Sequence, residues 1–77
     1  MPPVVVVDPR FPYRLRELRQ QRGLSLRELA KRVFYGKSYL HELETGDASP
    51  RVDVAARLDE VLGAAGELAR VATAMSG

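Results

Sequence analysis

The sequence predicts an all-α fold of five short helices behind an extended N-terminal arm, and three observations lead there. From Leu15 onward, apolar residues recur every three or four positions, the spacing that lines one face of a helix. Gly23, Gly36, Gly46, Gly63 and Gly66 interrupt that spacing at intervals suited to short helices. Ser25 and Ser49 each stand where a helix start needs a hydroxyl to take up a free amide. With 77 residues there is room for one small domain, and 45% hydrophobic against 29% charged residues separates it from disordered chains.

The opening stretch, Met1 to Pro12, holds four prolines and the Val4–Val7 block, so an extended arm over residues 1–12 is expected, followed by a helical domain over 13–77. Leu15 and Leu18 mark a first helix running from Arg14 to Gly23. Next, Ser25-Leu26-Arg27-Glu28 forms a capping box, in which the Ser25 hydroxyl takes the Glu28 amide and the Glu28 carboxylate reaches back. Leu26, Leu29, Ala30 and Val33 then give the inward face of a second helix, with Arg27, Lys31 and Arg32 outward.

Phe34-Tyr35-Gly36 breaks the pattern, and a third helix runs from Lys37 to Thr45, closed by Gly46. Ser49 and Pro50 read as N-cap and first residue of a fourth helix, with Val54, Ala55, Leu58, Val61 and Leu62 inward. A fifth runs from Glu67 to about Met75, with Leu68, Ala72 and Met75 on one face. Leu68, Val71 and Met75 are candidates either for a homodimer surface or for the lid of the core.

Composition removes several function classes. Without cysteine there are no disulfides, no thiolate nucleophile and no sulfur-based metal site. No nucleophile with a partner base, paired carboxylates, metal cluster or phosphate-cradling glycine loop stands out, so an enzyme, a cofactor and a metal are not expected. The longest apolar run is too short for a membrane span and the start lacks a secretory layout, which makes the cytoplasm, beside the nucleoid, the expected location. The net charge of +2 is uneven: residues 1–45 carry nine Lys/Arg against five acids, and residues 46–77 carry three against five. Attraction for a polyanion therefore lies in the first half.

Two short helices joined by a three-residue turn, the second polar on one edge, follow the helix-turn-helix plan over about residues 25–46. At roughly 100° per residue, Leu40 and Leu43 point inward, while Ser38, His41, Glu42 and Thr45 point outward and Lys37 sits at the flank. Arg19 and Glu44 fall beside leucines on inward faces, where unpaired charges are costly, so the two should pair.

Leu24-Ser25-Leu26-Arg27-Glu28-Leu29-Ala30, with Arg19, Gly23 and Glu44-Thr45-Gly46, resembles the lambda-repressor-like helix-turn-helix family of the Cro and xenobiotic-response-element type, over roughly Leu15 to Gly63. The Asp-Pro arm and the Phe34-Tyr35 turn look like the form found in actinobacterial regulators. The resemblance implies a compact five-helix DNA-binding domain of a transcriptional regulator, its recognition helix at about Lys37–Thr45 in the major groove. It implies that Lys37, Ser38 and Glu42 read bases, with Ser25, Thr45 and the Pro50-Arg51 region near phosphates; Arg27 and His41 join the backbone set from their outward positions. It also implies an Arg19–Glu44 ion pair between the first and third helices.

Alternatives stay open at several positions. Ser25 is a helix cap, a phosphate contact or both, and Tyr39 packs on the fourth helix or lies against the DNA backbone. Phe34 stands where the family usually has glycine, which implies either strain or a different turn, and Leu26 replaces the usual Gln. Glu42 and Asp47 bring acid near phosphates, although a Glu can accept from the cytosine amino group. A partner protein or effector domain is the other candidate partner, and a protein-interaction module with little DNA affinity is the alternative function.

Overall fold

The computed structural model describes residues 8–76, and in that span the chain forms five α-helices: α1 (Arg10–Gln21), α2 (Leu26–Val33), α3 (Lys37–Thr45), α4 (Val52–Leu62) and α5 (Glu67–Ser76). Among the described residues there is no strand. The expected arm lies outside the described residues through residue 7, and from Arg10 the chain is helix, not arm.

That early start corrects the boundary placed at Arg14. Pro12 is the third helical residue, where the first amides of a helix have no carbonyl partner in any case, so a proline there loses no hydrogen bond. Asp8 replaces the missing hydroxyl cap: its carboxylate accepts from the Arg10 amide at 3.0 Å, and its carbonyl accepts from the Phe11 amide at 3.0 Å. The Arg10 guanidinium and amide together hold the Asp8 carboxyl below its ordinary pKa. The extra turn buries Phe11 completely.

The core is a single cluster in which Phe11, Leu15, Leu29, Leu40, Leu43, Leu58 and Leu68 are fully enclosed. α4 and α5 pack on each other, α1 packs on α3 and α5, and α2 packs on α3 and α4. Leu68 and Ala72 face the core, so α5 acts as a lid; of the three residues considered for a dimer surface, Leu68 is inside, Val71 is half-buried and the side chain of Met75 lies outside the described residues.

α4 also begins later than Ser49-Pro50 suggests. Arg51 is the N-cap, in extended conformation and with no side-chain cap bond, and Pro50 is buried ahead of it. The fixed φ of proline suits a helix start and a turn equally, and here the residue is spent on the turn that brings the chain back onto the core.

Candidate nucleic-acid interface

Two short helices and the turn between them build the candidate surface. α2 starts on the capping box: the Glu28 amide donates to Ser25 Oγ at 3.1 Å, and the Ser25 amide donates to the Glu28 carboxylate at 3.0 Å. The Ser25 amide foremost, and then the Ser25 side chain, hold the Glu28 carboxyl below its ordinary value. Ser25 is thus a cap and remains exposed, and Arg27, Lys31 and Arg32 form the exposed outer face of α2.

α2 ends at Phe34 in the left-handed region, with φ 63 and ψ 33. Of the two possibilities, the turn keeps the geometry that glycine prefers and Phe34 carries the strain. Tyr35 turns inward and meets Tyr39, ring centroids 6.1 Å apart, while Phe34 points to solvent.

α3 then presents two distinct faces. Leu40 and Leu43 have no exposed surface, whereas Lys37, Ser38, His41, Glu42 and Thr45 are exposed. Lys37, Ser38, His41 and Glu42 together line one shallow concavity on the surface. Thr45 sits at the far end, its hydroxyl donating to the Asp47 carboxylate at 2.8 Å and lying 3.2 Å from the Glu42 carbonyl, so the turn at Gly46 already engages it.

Tyr39 is half-buried against the core, and burial raises its pKa above that of a free phenol. Packing against the core and Tyr35 is therefore the role that the geometry gives this ring. Arg51 is exposed and pairs with the exposed Asp53 at 3.3 Å.

Beside the packing of Leu40 and Leu43, a charge pair ties α3 to α1. Arg19 of α1 grips Glu44 with both arms of its fork, Nε to Oε2 at 2.6 Å and Nη2 to Oε1 at 3.1 Å, and its third nitrogen donates to the Leu24 carbonyl at 2.8 Å. The Glu44 side chain is 2% exposed and that of Arg19 15%, so the pair is sheltered from water. Arg16 adds a weaker contact to the same carboxylate at 3.8 Å. The structure thus joins Arg19 to Glu44 on the inner side of α3 and gathers Lys37, Ser38, His41 and Glu42 on its outer side. Ser25 and Arg27 stand at the start of α2, Thr45 at the end of α3 and Arg51 at the start of α4.

One structural residue escaped sequence reasoning. Asp59 of α4 is buried and its carboxylate accepts from the amides of Leu68 at 2.8 Å and Ala69 at 2.9 Å, capping α5 from a neighbouring helix. An acid on the inward stripe of α4, next to Leu58, was the available signal. Among the described residues no group of His, Cys, Asp or Glu is arranged to hold a metal ion, and no helix is long and apolar enough to cross a membrane.

Five helices with a capped α2, a tight turn and a rigidly backed, polar-edged α3 define a helix-turn-helix protein, the class whose members are typically DNA-binding modules of regulators. A family model described as a helix-turn-helix domain matches residues 13–72, and the chain belongs to that family. No curated protein and no solved structure gives a match.

Proposed function

We propose that the chain is a sequence-reading module for double-stranded DNA, lambda-repressor-like in plan, serving a transcriptional regulator with α3 in the major groove. The observation that carries this reading is the division of α3: one edge is buried and held by Arg19, and the other offers Lys37, Ser38, His41 and Glu42 to solvent as a group. Base readout needs such a rigid edge, because hydrogen bonds to base edges discriminate only when donors and acceptors are held in register. The Asp8-Pro9 start and the Phe34-Tyr35 turn favour the actinobacterial-looking branch.

Within this reading Lys37 donates to guanine, Ser38 either donates or accepts, and Glu42 accepts from a cytosine amino group. Ser25 and Arg27 at the start of α2, His41 and Thr45 on α3, and Arg51 at the start of α4 supply phosphate contacts, helped by amides at helix starts. Two copies on half-sites one helical turn apart would raise affinity and specificity, and the half-buried Val71 edge of α5 is the surface offered for pairing. The cell compartment that follows from this role is the one holding the chromosome.

The test is a selection of bound duplexes from a random library, followed by titration of Lys37→Ala on the selected and on a scrambled duplex. Selective weakening on the selected duplex by about 1–3 kcal/mol supports base reading. Equal weakening on both makes Lys37 a backbone contact and removes it from the reading set.

A further inference from the structure

Phe34 combines two costs at one position. Its backbone is left-handed, φ 63, where an L side chain crowds the following carbonyl and glycine does not. Its ring is 83% exposed, so no burial offsets that strain. Among the described residues only Phe34 and Ala65 take a positive φ without being glycine, and Ala65 carries no ring.

The fold itself makes no use of the ring. The turn is closed by the Phe34 amide donating to the Ala30 carbonyl at 2.9 Å, a bond that glycine makes equally well. Inward packing at this corner falls to Tyr35 and Tyr39. A strained residue held without structural return is a reason to look for a role outside the fold. Its place is informative: Phe34 is the C-cap of α2 and stands three residues ahead of Lys37, at the end of α3 that enters the groove first.

We infer that Phe34 is an apolar DNA contact whose ring lies against the C5 methyl of a thymine at the border of the bases read by Lys37 and Ser38. The inference rests on the DNA reading of α3 and adds a preference for one A·T pair to it. The thymine methyl is the apolar group that a base pair displays in the major groove, and a ring exposed in the free protein is well matched to cover it. A second copy of the chain is a poorer occupant, since one ring falls far short of the roughly 800 Å² per partner of a stable protein interface.

The experiment uses the duplex most enriched from a random library by the unaltered protein. Each thymine is replaced in turn by deoxyuridine, which removes the methyl and keeps the pairing. The unaltered protein is expected to lose about tenfold in affinity at one thymine. Phe34→Gly and Phe34→Asn, both compatible with the left-handed backbone, are expected to bind the parent duplex about tenfold more weakly and to ignore that same replacement. Tight binding by the unaltered protein with no thymine sensitive to methyl removal, or variants that keep the sensitivity, overturns the role of Phe34 and leaves the DNA reading standing. Failure of the unaltered protein to enrich any duplex overturns the DNA reading, and the thymine contact with it.

Discussion

Asp59 caps a helix it does not belong to: from α4, its buried carboxylate receives the Leu68 amide at 2.8 Å and so fixes the start of α5. The neighbouring Ala69 amide binds the other oxygen at 2.9 Å. Both of these amides lack carbonyl partners inside α5, and Leu68 is wholly buried beside them. Asp59→Ala should therefore cost about 2–3 kcal/mol in urea unfolding at neutral pH, with Asp59→Asn losing less because one acceptor remains. A cost within a few tenths would mean that α5 docks through its apolar face alone.

The Arg19–Glu44 pair ties α3 to α1. Glu44→Ala leaves Arg19 largely enclosed with only the Leu24 carbonyl and should destabilise by about 3–5 kcal/mol. Replacing both partners by apolar residues of similar volume, Arg19→Met with Glu44→Leu, should recover most of the loss, since neither charge is then stranded. If chemical denaturation of Glu44→Ala shifts by only a few tenths, the pair does not anchor the helix.

Strain at Phe34 is measurable without DNA. Phe34→Gly relieves a left-handed backbone that costs roughly 1–2 kcal/mol, and gives part of it back through the greater freedom of glycine in the unfolded chain. The variant should be more stable by about 0.5–1 kcal/mol in urea unfolding. A loss of stability would show that the ring packs usefully in the folded protein.

The capping box gives a sign for acid pH. Glu28 titrates below its unfolded value of 4.5, first because of the Ser25 amide, so the unfolded chain takes up its proton first as pH falls. Its contribution to stability is present above about pH 4.5 and disappears as pH drops through the lower, folded value. Glu28→Gln should flatten the acid slope of the urea midpoint relative to the unaltered protein; Asp8, lowered by Arg10, keeps a residual slope. Identical slopes would place the Glu28 carboxylate outside the cap in solution.

Features that depend on near neighbours in sequence were legible. The Ser25–Glu28 box joins residues three positions apart, and the leucines at 40 and 43 fix which side of α3 faces inward, so the exposed set on that helix follows from spacing alone. Prolines were the misleading signal. Pro12 reads as a helix breaker yet occupies the first turn of α1, and Pro50 reads as a helix start yet lies in the turn before α4, because one fixed φ serves both. Asp59 was illegible since its partners lie nine and ten residues later, across a turn whose path the sequence does not dictate. Exposure at Lys37, Ser38, His41 and Glu42 could be derived, but the bases they face depend on the duplex as much as on the chain.

The central proposal is that the outer edge of α3 meets DNA, and the most direct test is the salt dependence of binding to the selected duplex. Arg27 and Arg51 are the exposed cations assigned to phosphates, so log affinity should fall against log salt with a slope of about −2. Between about 50 and 200 mM salt that is a loss of roughly tenfold. Affinity that does not change with salt, or no binding even at the lower concentration, would contradict the proposal and favour a protein partner for the same helix.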